Sequence, residues 1–352
     1  MIRPVSLCFA SALALAACSQ DAGPDTSQST SAAELTLPAP SRNPAAKAIE
    51  GASFEAATTD PRAAARLLIR AQILLDRAHF SPGVIDGRNG ETLRLALLAY
   101  QQAHDLPPTG ALDAATWGAF EKTDGEAVLA DYEITEADVK GPFVKSIPKA
   151  PDEMAKLETL AYANPLEALA EKFHMDEALL QALNPDADFS RPGQKLIVAR
   201  LPKDRLQAQV TRVEVDKTRG QVRAFNAEGA LLAVYPATVG SGDYPAPDGA
   251  WAVRAVAENP TWNYDPDRLS FGHGHRKQTI APGPNNPVGA VWIALTKDTY
   301  GIHGSPEPKL IGKTASHGCV RLTNWDAREL AGAVKPGTTV TFVGDEPPRP
   351  TA

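Results

Sequence analysis

The period of the apolar residues changes along this chain, and the changes mark out its parts. Ala64, Leu67, Leu68, Ala71 and Leu75 recur at helical spacing, as do Leu93, Ala96, Leu97 and Tyr100, so each set marks one face of an amphipathic helix. Between them, Ser81-Pro82-Gly83-Val84-Ile85-Asp86-Gly87-Arg88-Asn89-Gly90 is too dense in turn formers to be helical. Asp113 then caps a short third helix that carries Trp117 and Phe120. Residues 155–200 hold two short helical patterns, with Asp176 as N-cap of the second, followed by Asn184-Pro185, Pro192-Gly193 and the apolar run Leu196-Ile197-Val198. That stretch reads as strand, helix, helix, strand.

Beyond residue 205 the pattern becomes one of short strands and tight turns. Val210, Arg212-Val213 and Val215 precede a turn at Lys217 to Gly220; Val222 to Phe225 precede Asn226 to Gly229; Leu231 to Tyr235 follow. Ala250 to Ala257, Val288 to Leu295 and Thr339 to Val343 are further strands. One late helix starts at Thr323, which has capping-box spacing to Asp326, and stops at Lys335-Pro336-Gly337. The prediction is a multidomain α+β chain: a three-helix domain at 59–123, a linker at 124–150, a small βααβ module at 151–201, a mostly β domain at 205–345 and a tail at 346–352.

The first residues have a different purpose. Arg3 precedes an apolar stretch, Val5 to Ala14, shorter than the ~20 residues a membrane-spanning helix needs, so residues 1–17 read as a cleaved signal peptide. The site Leu15-Ala16-Ala17-Cys18 resembles the lipobox of bacterial lipoproteins, in which the cysteine is lipidated and becomes the first mature residue; the alternative is an ordinary small-residue cleavage site beside a cysteine. Residues 18–58, rich in Ser, Thr, Ala, Pro and Asp with little periodicity, then form a disordered tether behind lipidated Cys18. An exported, periplasmic protein held to the envelope membrane by a lipid anchor is expected, and Ser19 after Cys18 favours the outer membrane. A net charge of −7 and the lack of a long basic run argue against a nucleic-acid partner.

Of three cysteines, Cys8 leaves with the signal and Cys18 is acylated, so Cys319 has no partner for an intrachain disulfide. Cys319 lies in Ser316-His317-Gly318-Cys319, with His303 upstream in Gly301-Ile302-His303-Gly304. A free thiol has a pKa near 8.5, so an imidazole within reach can take its proton and later protonate a leaving amine. Either His303 or His317 could serve. Gly318 permits a turn that could aim backbone N–H groups at a developing oxyanion. Zinc on His303, His317 and Cys319, or on His273 and His275, is the rival chemistry. With no CxxC pair, HExxH helix or acidic ligand cluster, no metal is expected, and His273 and His275 read as loop residues.

Two resemblances follow from these residues. His303 with Ser316-His317-Gly318-Cys319-Val320-Arg321-Leu322 resembles the signature of bacterial L,D-transpeptidases, and Ala281-Pro282-Gly283-Pro284-Asn285-Asn286-Pro287-Val288-Gly289 agrees with it. The resemblance implies Cys319 as nucleophile, His303 as base, His317, Gly318, Ser316 and Gly304 as supports of the oxyanion site, and Arg321 as a substrate contact. It further implies attack on the diamino-acid carbonyl of a peptidoglycan tetrapeptide stem and release of D-alanine. The acyl group then passes to an amine of a second stem or of an envelope protein, or to water; carbapenems typically block such enzymes. Pro82-Gly83, Ile85-Asp86-Gly87, Tyr100-Gln101, Thr109-Gly110 and Thr116-Trp117 resemble the three-helix peptidoglycan-binding domain. Residues 151–201 resemble a divergent LysM-type module that lacks the usual initial Gly-Asp pair, so a packing role stands beside glycan binding.

Overall fold

The computed structural model describes residues 41, 43–54, 60–123, 125–202, 206, 209–268, 276–314, 316 and 318–345. The signal, Cys18, His273, His275, His317 and the tail lie outside the described residues.

Helix α1 (Pro44–Glu50) falls inside the stretch expected to be a tether. Asn43 caps it by accepting from the Ala45 N–H, and Ala46 and Ile49 are buried against α2 (Pro61–Arg77). Two apolar residues in one short helix are too few to show as periodicity. α2, α3 (Glu91–Ala103) and α4 (Ala114–Thr123) are the three expected helices. Their turn residues hold each other through buried amides. Gln101 Nε2 donates to Thr109 Oγ1, Ala111 O and Thr116 Oγ1, while its Oε1 accepts from the Gly110 N–H. Gln72 Oε1 does the same for the N–H groups of Asp86 and Gly87.

The βααβ module begins earlier than its sequence pattern indicates. Its first strand is β1 (Leu129–Glu133), inside the expected linker, paired antiparallel with β2 (Lys195–Ala199). Between them come α5 (Glu136–Lys140), α6 (Pro151–Met154), α7 (Pro165–Lys172) and α8 (Glu177–Leu183). The capping box of Thr135 and Asp138 ends the strand, and residues 141–163 then separate it from α7, which hides the pairing. One apolar core joins this module to the three-helix domain, with Leu75, Tyr100 and Phe120 meeting Leu129, Leu169 and Val198.

The last domain is a nine-stranded sheet with strands β3 (Arg212–Asp216), β4 (Gln221–Phe225), β5 (Leu231–Pro236), β6 (Thr238–Val239), β7 (Gly249–Glu258), β10 (Val291–Leu295), β11 (Gly301–His303), β12 (Val320–Arg321) and β13 (Thr339–Val343). Their order is β5-β4-β3-β13-β7-β10-β11-β12-β6. The two edge strands, β5 and β6, are separated in sequence by Ala237 alone, so the sheet must curl until its edges nearly meet. Its interior is apolar, with Val213, Val222, Ile293, Ile302, Val320 and Val340, and α9 (Asn324–Ala333) adds Ala327 and Leu330. β8 (Trp262–Tyr264) and β9 (Gln278–Ile280) form a separate hairpin that packs on Leu160 from the 141–163 segment. Leu160 also binds the next loop through both backbone groups: its N–H donates to Pro282 O at 2.9 Å, and its carbonyl accepts from the Asn285 N–H at 2.8 Å.

Candidate active site

Strand register brings the sequence-predicted residues together. β11 and β12 run parallel, with Ile302 opposite Val320 and His303 opposite Arg321. Ile302 and Val320 fill the core, so Gly301, His303 and Arg321, with Cys319 just before its strand, emerge on the other face. With strands ~4.8 Å apart and an offset of two residues, the Cβ atoms of Cys319 and His303 lie about 8 Å apart, a separation their side chains can span. The row through His303 continues across the sheet to Trp292 on one side and through Arg321 to Thr238 on the other.

His303 is 4% exposed, and the Trp292 indole stacks on it with ring centroids 5.3 Å apart. Its Nδ1 lies 2.7 Å from Gly304 O. A carbonyl only accepts, so Nδ1 carries the proton and Nε2 is left with a lone pair. Burial lowers the imidazole pKa to about 3, helped by the Arg321 charge and only partly opposed by the Gly304 and Val288 carbonyls. The half-buried Cys319 thiol donates to Thr299 O at 3.7 Å. Burial raises its pKa, while the Gly301 backbone and Arg321 draw it down. At rest the thiol and the imidazole are therefore both neutral.

The loop before Cys319 is locked from within. The buried Ser316 hydroxyl donates to Cys319 O at 2.7 Å and accepts from the Gly318 N–H at 3.3 Å, while the Ser316 N–H donates to Gly240 O. Gly318 has φ +108°, and a Cβ there would press on the Tyr300 ring and Pro245 O. Gly318 therefore shapes the loop, and its own N–H is directed to the Ser316 hydroxyl.

Gly304 is held by close approach. A Cβ at this position would come within 2.1 Å of Asn324 Oδ1. That oxygen accepts from the Ala290 N–H at 2.9 Å, and Asn324 Nδ2 donates to both Glu171 carboxylate oxygens and to Pro284 O. Gly304 thus packs closely on Asn324 next to the histidine. Asn324, Trp292 and Tyr300 are site residues that sequence reasoning missed as such. Tyr300 and Asn324 flank the motifs and Trp292 sits in a strand, but nothing local shows what their side chains touch. Among the described residues, no group of three or more His, Cys, Asp or Glu is placed to hold a metal ion.

Comparisons with known proteins place domains on the chain. Residues 210–342 match the family model for the L,D-transpeptidase catalytic domain, and residues 67–120 that for a peptidoglycan binding domain. Two Bacillus subtilis proteins whose names assign them to the L,D-transpeptidases are similar: one is 28% identical over 178 residues, 50% of this chain and 92% of the relative. The other is 35% identical over 118 residues, 32% of this chain and 60% of the relative. A Bacillus licheniformis protein of the same naming is 50% identical over 61 residues, which span 17% of this chain and 37% of the relative. The solved structure of L,D-transpeptidase 3 from Mycobacterium tuberculosis matches with a TM-score of 0.32 at 14% identity, over 44% of this chain and 76% of that one.

Proposed function

We propose that this chain, whose residues 210–342 form an L,D-transpeptidase catalytic domain and whose residues 67–120 form a peptidoglycan-binding domain, cross-links peptidoglycan through a thioester on Cys319. The observation that carries the reading is the pairing of β11 with β12, which puts a thiol and a neutral, tautomer-fixed imidazole on one face of one sheet.

The reaction runs in two halves. Cys319 Sγ gives its proton to His303 Nε2 and bonds to the carbonyl carbon of the diamino acid in a tetrapeptide stem. The bond from that carbon to the terminal D-alanine nitrogen breaks, and His303 passes the proton to the departing amine. A side-chain amine of a second stem, or of an envelope protein, then attacks the thioester. His303 takes the amine proton and returns it to sulfur as the C–S bond breaks. Arg321 steadies the thiolate and faces the substrate, and Ser316, Gly318, Gly304 and His317 shape the site. No cofactor enters. Export by residues 1–17 and lipidation at Cys18 would place the enzyme in the periplasm on a membrane anchor, with the outer membrane favoured.

The test is incubation of purified protein with disaccharide-tetrapeptide, with products resolved by mass. Cross-linked dimers and a carbapenem adduct on Cys319 support the reading, both lost in Cys319→Ala. Tripeptide monomers alone would make the enzyme a hydrolase, and neither product nor adduct would refute the assignment.

A further inference from the structure

We infer that Glu171, in the βααβ module, is a positioning residue for His303 and acts through Asn324. This rests on the reading of His303 as the base. Glu171 lies on α7, outside the catalytic domain, with 8% of its surface exposed; Asn324 is fully buried at the start of α9. Asn324 Nδ2 donates to Glu171 Oε1 at 3.2 Å and Oε2 at 3.0 Å, and to Pro284 O at 3.1 Å. Pro284 O can only accept and the Ala290 N–H on the far side can only donate, so the amide has one satisfied orientation, in which Glu171 gives its Nδ2 two further contacts. In that orientation its oxygen packs on Gly304, whose carbonyl fixes the His303 tautomer.

The carboxylate is itself held. The Tyr162 hydroxyl donates to Glu171 Oε1 at 2.6 Å, and Arg328 Nη1 stands 3.6 Å from the same oxygen. The module also grips the loop that ends at Ala290: Asn285 Nδ2 donates to Ala161 O and to Glu167 Oε1. Without the Glu171 acceptors, Asn324 Nδ2 keeps a single partner, and the amide can turn away from Ala290 and Gly304. The backbone beside His303 then loses its stop. The module, by this account, completes the catalytic histidine's support whether or not it binds glycan.

The experiment uses the full chain and three variants. Glu171→Gln keeps one carbonyl acceptor, Glu171→Leu removes both, and Leu169→Val loosens the same helix without touching the hydrogen bonds. The maximal rate and half-saturation of Cys319 acylation by a carbapenem are measured by intact mass, and Cys319 alkylation by iodoacetamide is followed against pH. A shift of about 1 Å in a catalytic group costs ~100-fold. Glu171→Leu should therefore slow acylation by 10- to 100-fold, leave half-saturation within ~3-fold and alter the alkylation profile. Glu171→Gln should keep most of the rate, and Leu169→Val should lower Tm while reacting as the wild type. A wild-type rate in Glu171→Leu, or an equal loss in Leu169→Val, overturns the inference. If wild-type Cys319 is not acylated, the transpeptidase reading fails instead; the alkylation profiles then decide the positioning role, supporting it if Glu171→Leu alone is altered and refuting it if all profiles coincide.

Discussion

Replacing Gly304 by alanine should slow the enzyme far more than it weakens the fold. The added Cβ would lie 2.1 Å from Asn324 Oδ1, against 3.4 Å for ordinary contact, so about 1.3 Å must be found. Asn324 cannot yield cheaply: it is fully buried and hydrogen-bonded to Ala290, Pro284 and Glu171. The end of β11 moves instead, and it carries His303. Overpacking of this kind costs about 1–3 kcal/mol in stability. A displacement of ~1 Å in a catalytic group costs on the order of 100-fold in rate. Calorimetry should show a Tm lower by a few degrees, and carbapenem acylation of Cys319, timed by intact mass, should slow by about two orders of magnitude. Wild-type acylation in a folded Gly304→Ala protein would refute this account of how the imidazole is held.

Three further outcomes are expected. With the His303 imidazole lowered to about 3 and the Cys319 thiol raised, the base is already neutral at pH 5, so the acylation rate should show no ionisation step between pH 5 and 8; a step near 6.5 would refute it. Ser316→Ala removes the acceptor of the Gly318 N–H and the donor to Cys319 O, which should cost about 1–3 kcal/mol by thermal unfolding and slow acylation; an unchanged Tm and rate would count against the lock. Asp326, buried beside Asp76 and His174, has its carboxyl raised to about 8 from 3.8. The folded state therefore binds a proton that the unfolded chain has released between about pH 4 and pH 8, so stability should fall as pH rises through that window. Asp326→Asn should flatten the fall seen in Tm, and an equally steep fall in the variant would exclude this group as its source.

The strands and helices of the catalytic domain were largely legible because each carries several apolar residues at one period. β11 and β12 were not, since two or three residues show no period, and only their flanking motifs drew notice. Expectation failed most clearly at β1 and α1. β1 pairs with a strand more than sixty residues later, and α1 is secured by two apolar side chains, so in both cases the stabilising contacts are nonlocal. Cys319 and His303 stood out as chemistry, but their relation to Trp292, Tyr300 and Asn324 did not.

The chemical type of the candidate site was legible in the chain: Cys319, His303, His317 and the glycines around them pointed to a nucleophile and its candidate bases without any coordinates. Folding decided the rest. Parallel pairing of β11 with β12 brought thiol and imidazole to one face, burial under Trp292 kept that imidazole neutral, and a carboxylate from a separate module came to rest behind Gly304. Reactivity of a side chain depends on its covalent structure and can be read locally; its distance, dielectric and hydrogen-bond partners depend on residues far away in sequence, which only packing brings near.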